Sequence, residues 1–300
     1  MTAKQLLSTY WNKSAFLFEF FASFTLVFFI LLWLLIKYMH KPKNEKLFNT
    51  IGFTLATFLA FIIPWALSYF TANVPAFPQL NPLSVILQTR LQGFSISTGE
   101  AGTLDKGVYY LIGGQFSGAF GGLIVFAGIF FLVKNSLYKS KEYKEIFQTL
   151  QIWDLLKVRH PYNESWWKYI IKEFIFITTF VIIVPMVGYI NDTNYGTNPY
   201  FKLFITLIVV WIFLFISSFF GFFAFDIVFN VIAYLLIVIE ILYHRKSIKS
   251  NDQKTKQIKQ LMLLETIKIT TTLLFTVIIP LIYGIVAVEI GKSVPMKLNF

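Results

Sequence analysis

The apolar positions of this chain run in long stretches that no charge interrupts, and do not recur at the spacing of a half-buried soluble helix. Between Lys13 and Lys37 the single charged residue is Glu19, and between Lys46 and Arg90 there is none. Lys106 to Lys134, Glu173 to Asp192, Lys202 to Asp226 and Lys268 to Glu289 also enclose charge-free intervals. A helix that crosses a bilayer needs about 20 mostly apolar residues. The pattern therefore predicts six spans near 15–37, 50–72, 108–133, 168–190, 202–220 and 264–288.

Two apolar stretches remain. Residues 74–89 carry three prolines and are too broken to span. Residues 221–243 follow the fifth span, with Ser217, Ser218 and Gly221 as the breakers between them. Irregular backbone at membrane depth is tolerated where protein or a water-filled cavity satisfies it. One such segment after the second span and one after the fifth point to inverted repeats around a central solute path. The halves also agree in detail. Glu19-Phe20 opens the first span and Glu173-Phe174 the fourth, while Leu80-Asn81-Pro82-Leu83-Ser84 faces Phe229-Asn230-Val231-Ile232-Ala233. Glu19 to Asn81 is 62 positions and Glu173 to Asn230 is 57.

Composition narrows the class. Charged residues make up 14% of the 300, against roughly 25% in an average soluble domain. With 56% hydrophobic residues, one soluble core of this size cannot hide the apolar surface. The net charge of +11 would suggest nucleic acid in a soluble protein. Here the basic residues cluster between spans, which favours anionic lipid headgroups and topology, with no nucleic-acid partner. The absence of cysteine excludes disulfides and thiol chemistry, and His40, His160 and His244 lie far apart. There is no nucleophile–base set, phosphate-binding glycine loop or metal-ligand spacing. Neither an enzyme nor a cofactor is expected.

An Asn that caps a half-helix at mid-membrane satisfies free backbone donors and can point its amide at a passing solute. The helix start carries a partial positive charge that repels cations, and Pro82 suits the first helical position. Three segments, this box among them, stand in order. They are Glu19-Phe20-Phe21-Ala22-Ser23-Phe24, Leu80-Asn81-Pro82-Leu83, and the stretch Tyr110 to Ala119 that contains Gln115 and Gly118. Over residues 16–125 the chain resembles the major intrinsic protein family, the aquaporins and glycerol facilitators. The resemblance implies an all-α integral membrane fold of six transmembrane helices plus two re-entrant half-helices, in two inverted three-helix repeats. It divides one membrane domain, 1–300, into a first repeat at 14–133 with its pore loop at 74–89 and a second at 168–290. The latter's degenerate pore segment is 221–243, and a basic amphipathic loop fills 134–167. By resemblance, Glu19 and Glu173 hold the pore loops and Pro82 starts the first half-helix; Gln115 bonds either the pore-loop backbone or a neighbouring helix. Phe61 takes the second-span filter position. Gly114, Gly118 and Gly122, four apart on the third span, read as close packing between helices within the protomer.

The chain departs from the family in its second half. The second Asn-Pro-Ala-Arg box is missing, and two placements stay open. Asn230 keeps the amide and is preferred, whereas Asp226 would put a carboxylate there and is a candidate solute or proton contact. No Lys or Arg lies between Lys202 and Arg245, so the family's filter arginine has no counterpart there. The remaining filter positions are Leu214, Phe223 and Phe229 in one placement, or Ser218, Ile227 and Ala233 in the other. Both sets are mainly apolar. Glu240 and the Glu265/Lys268 pair are weaker contact candidates that otherwise sit at an interface.

Charge placement also conflicts with the family's usual topology, in which the termini are cytoplasmic. Seventeen of the 26 basic residues lie in 37–46, 134–168 and 245–259, and seven lie in the termini and other loops. Positive residues favour the cytoplasmic side, so both termini are expected to face outward from the plasma membrane. In the long third loop, Ile146, Leu150 and Trp153 recur at helical spacing among lysines. Residues 140–159 are therefore expected to form a basic amphipathic helix on the membrane surface, with Trp166-Trp167 at the interface. The expected function is passive passage of small uncharged solutes, glycerol-like molecules or water, through an apolar filter, in the family's usual homotetramer. The rival readings are a proton-coupled or other secondary transporter using Asp226 and a non-conducting structural or assembly protein.

Overall fold

The computed structural model describes residues 13–72, 78–92, 108–157, 165–189, 199–219, 227–243 and 252–293. Among these residues the chain is all-helical, with ten helices. They are α1 (Lys13–His40), α2 (Glu45–Ala72), α3 (Pro82–Gln92), α4 (Val108–Leu137), α5 (Lys144–Thr149), α6 (Asp154–Lys157), α7 (Trp166–Tyr189), α8 (Pro199–Phe219), α9 (Ile227–Tyr243) and α10 (Asp252–Ser293). Helices cover all six expected spans and a part of each leftover stretch. Lys13–His40, Glu45–Phe70, Val108–Leu137 and Met262–Val286 are long and apolar enough to cross a membrane. Phe204–Ser217 and Ile227–Tyr243 are shorter apolar stretches. Large apolar side chains such as Phe70, Ile124 and Leu132 stand more than two-thirds exposed on the outer surface, which in water would be an aggregation hazard and in lipid is the expected face. The chain is a multi-pass membrane protein.

Local chemistry sets the helix ends. Lys41 takes a left-handed backbone (φ 44°) and its N–H donates to Lys37 O, which together with Pro42 stops α1. Asn44 Oδ1 then accepts the N–H of Leu47 at 3.1 Å and opens α2. The hairpin closes through Trp33, whose ring stacks on Phe48 and whose Nε1–H donates to Phe48 O. Trp33 lies where Gly52 has no side chain: a Cβ there would come within 2.0 Å of Nε1.

α1 and α4 pack along the glycine stripe. A Cβ on Gly118 would lie 2.1 Å from Phe20 O, and one on Gly114 or Gly122 would lie under 3 Å from Phe16 O or Phe24 O. The close approach that small residues allow in lipid is thus made inside the protomer. The other principal pairings are α1 with α2, α7 with α10, α7 with α8, α3 with α4, α9 with α10, α3 with α10, α4 with α9, and α2 with α8. Exchanging α1–α4 for α7–α10 in order maps this set of pairings onto itself.

Two apolar cores result. The first gathers α1, α2, α4 and the third loop around Leu31, Phe126 and Phe130, and takes in Ile227, Val228, Ile232 and Leu236 of α9. The second contains Tyr169, Phe176, Ile177 and Phe213 of α7 and α8, with Phe275 and Ile279 of α10, and takes in Leu83 and Leu87 of α3.

The third loop differs from expectation. Instead of one surface helix over 140–159, α5 ends at Leu150, which is extended (ψ 125°), and α6 restarts after Asp154 Oδ2 accepts the Gln151 N–H at 2.8 Å. Phe147, Leu150, Ile152, Trp153, Leu155 and Leu156 are buried in the first core. Lys134 Nζ donates to Leu150 O, Tyr38 OH donates to Asp154 O, and Trp153 meets Tyr243 at 5.4 Å between rings. The apolar spacing was real, but the surface it matches is the bundle end, where α1, α4 and α9 finish. Trp166 and Trp167 stack on each other with both rings about half exposed.

Candidate functional site

The first polar site forms where α3 begins. Pro82 is its first residue, and Asn81 Oδ1 accepts the Leu83 N–H at 2.8 Å. Asn81 O also accepts from Ser84 and Val85, so both ends of the residue hold the helix start. The preceding Leu80 has φ 60°, a left-handed conformation uncommon for a non-glycine residue. Such a conformation persists only where its surroundings enforce it, and Glu19 of α1 does so. Its Oε1 accepts the Gln79 N–H at 2.7 Å and its Oε2 accepts the Leu80 N–H at 3.2 Å. Gln115 of α4 donates its Nε2–H to the same Oε2 at 2.9 Å. Glu19, Asn81 and Gln115 are all at least nine-tenths buried. The result is the start of α3, with its partial positive charge, fixed inside the bundle from two neighbouring helices.

The second site has the same plan and different members. Glu173 of α7 accepts the hydroxyl of Thr272 of α10 at 2.6 Å. Thr272 Oγ1 also receives Asn230 Nδ2 of α9 at 2.9 Å and pairs with Tyr169 OH at 2.8 Å. All four side chains are buried. Thus Glu19 meets Gln115 across 96 positions and Glu173 meets Thr272 across 99. Asn230 does not cap α9, contrary to expectation. Asn230 lies inside the helix described from Ile227 to Tyr243. Asp226 and Phe223, with Arg245, lie outside the described residues.

Phe61 of α2 is half-buried against the first core. Leu214, Ile227, Phe229 and Ala233 are buried in that core as well, so packing alone does not separate the two filter placements. Glu240 is half-buried near the end of α9. Glu265 and Lys268 lie in the first two turns of the apolar stretch Met262–Val286. They form an ion pair at 2.8 Å with side chains 5% and 1% exposed, and the Lys268 ammonium stands 5.7 Å from the Tyr169 ring centre. Several buried polar atoms have no protein partner, among them Gln115 Oε1 and Ser23 Oγ near the first site and Asn230 Oδ1 and Thr276 Oγ1 near the second. Each costs about 1–3 kcal/mol unless water or a solute satisfies it.

Tyr169 and Thr272 were not singled out in the sequence. Their signal was spacing: Tyr169 is one turn before Glu173, and Thr272 shares a helical face with Glu265 and Lys268. Among the described residues, no three His, Cys, Asp or Glu side chains converge on a point that could hold a metal. No protein-family model, curated protein or solved structure matches the chain.

Proposed function

We propose that the chain is a divergent aquaporin-fold channel that passes small uncharged solutes passively across the plasma membrane. The observation that carries this reading is the Glu19 latch. A buried carboxylate takes both backbone donors of a strained turn and so holds a capped half-helix, α3, at its start inside the bundle. The resemblance implies this arrangement, with Asn81 presenting its amide to the solute and Phe61 at the constriction. The helix pairings support two three-span repeats. With an odd number of spans in each, the second repeat would enter from the opposite side. The partnerless buried polar atoms support water or solute within the bundle.

Asn230 lies inside α9 and cannot cap it, which leaves Asp226, outside the described residues, as the remaining placement. This moves the proposed second pore box from Asn230 to Asp226, with Phe223 as its filter residue. Glu173 and Asn230 then brace that half through Thr272. The basic loops favour an outward-facing residue 1 and contact with anionic headgroups.

Stopped-flow swelling of liposomes holding the purified protein, with water, glycerol and urea at two pH values, tests the proposal. Solute flux at the same rate at both pH values supports a channel. Flux that requires a proton gradient and is lost in Asp226→Asn identifies a carrier, and no flux for any solute identifies a structural protein.

A further inference from the structure

The third loop is tied to three helices at once. Lys134, in the last turn of α4, donates its ammonium to Leu150 O at 2.8 Å and to Gln151 Oε1 at 3.2 Å. Tyr38, near the end of α1, donates its hydroxyl to Asp154 O at 2.9 Å. Tyr243, the last residue of α9, meets the Trp153 ring at 5.4 Å. Helices of six and four residues, such as α5 and α6, are too short to hold themselves. Their order comes from those three ties and from Phe147, Leu150, Leu155 and Leu156, which they and the turn between them bury in the first core. The opposite side presents Lys141, Lys144, Gln148 and Thr149, all exposed. A short segment that owes its order to one docked face opens as a local unit.

The core that this segment completes gives such an opening a consequence. It also holds the filter positions of α9, Phe229 in one placement and Ile227 and Ala233 in the other, none more than 5% exposed. With the loop docked, these side chains are packed among protein and do not face a solute. We propose that α5 and α6 form a strap that fixes the end of α9 and keeps the path through the second half closed, an inference that rests on the channel reading. When Trp153 parts from Tyr243, the last turns of α9 loosen and its filter side chains are released from the core.

Trp153→Cys with Tyr243→Cys, in a full chain that otherwise has no cysteine, gives both states in one protein. The strap is free while the two thiols are apart and fixed once a short thiol crosslinker joins them. Amide exchange on peptides covering 236–243 should be about tenfold faster in the free form, with peptides of the α1–α2 hairpin equal in both. Liposome swelling with water, glycerol and urea should be several-fold faster in the free form. Should the cysteine pair fail to fold, Tyr243→Ala removes a side chain that is 71% exposed, leaves the core intact and should match the free form against wild type. Equal exchange of 236–243 in the two forms overturns the strap. Faster exchange with measurable swelling that is equal or slower in the free form overturns its closing role. No swelling in either form overturns the channel reading, and the exchange result then decides the strap by itself.

Discussion

Removal of the Glu19 carboxylate tests whether the α3 start is held from α1. In Glu19→Ala the N–H groups of Gln79 and Leu80 lose their acceptors, as does the Gln115 amide. Leu80 is buried and left-handed, so its N–H cannot turn to another partner without releasing the turn. At about 1–3 kcal/mol for each orphaned backbone donor, the local cost is roughly 2–6 kcal/mol. Glu19→Gln behaves differently. Its oxygen can keep the 2.7 Å bond from Gln79, and its amide faces Leu80 and Gln115. Gln115 can reverse its own amide and offer the Oε1 that has no partner in the wild type. One backbone bond is then lost, at about 1–3 kcal/mol.

Amide hydrogen exchange in detergent, read on peptides covering 78–84, separates these outcomes from general destabilisation. Every 1.4 kcal/mol is a factor of about ten in opening. Glu19→Ala should therefore exchange about thirty-fold faster or more in this segment, and Glu19→Gln by a clearly smaller factor. Peptides from the far half of α4 serve as the unchanged reference. Solute flux should fall in the same order. Unaltered protection of residues 79 and 80 in Glu19→Ala would refute the latch.

Gly118→Ala should lower the melting temperature in detergent by the equivalent of at least about 3 kcal/mol, or prevent folding, since its Cβ would meet the Phe20 carbonyl and not a movable side chain. Gly128→Ala, with nothing within 4 Å, is the control and should be neutral or stabilising by up to about 1 kcal/mol. Lys134→Met removes the bonds to Leu150 O and Gln151 Oε1, so limited proteolysis within 138–157 should accelerate several-fold; an unchanged rate would show that apolar burial alone holds the loop. Asn230→Leu and Thr272→Val share one hydrogen bond, and a double-mutant cycle on stability should give a coupling of about 0.5–3 kcal/mol, whereas additive effects would dissolve the second polar site. Because the chain has no cysteine, Asn44→Cys and Asn251→Cys should resist an impermeant thiol reagent in intact cells while Thr2→Cys reacts, and the reverse pattern would invert the proposed topology.

What the sequence disclosed was whatever local chemistry determines. Charge-free length located the helices, and Asn81-Pro82 announced a cap and a first turn that need no tertiary information. The glycine spacing on α4 marked a close approach for the same reason: only the missing Cβ matters. The errors came where a residue's meaning depends on its neighbour. The apolar spacing at 146–153 shows a face and does not say whether lipid or protein covers it. Here protein does, through Phe147, Trp153 and Leu155. Asn230 resembles Asn81 in type, but it lies inside α9 and its amide bonds Thr272. Hydroxyls are common in membrane helices, so Tyr169 and Thr272 gained meaning only when Glu173 was found beside them.

The packing of α3 and α9 explains why so asymmetric a sequence keeps so symmetric a set of pairings. Leu83 and Leu87 of α3 are buried with Tyr169, Ile177 and Phe213, and so belong to the second core although they follow the first two spans in sequence. Ile227, Val228 and Ile232 of α9 are buried with α1 and α4 in the first. Each four-helix unit therefore supplies part of the other's core. Burying side chains of this size stabilises by about 1.5–3 kcal/mol each, so the exchange binds the units without any particular polar motif at the crossing. Polar residues at the two sites are then free to differ as long as each carboxylate finds a donor on its neighbouring helix. Gln115 serves Glu19, and Thr272 serves Glu173.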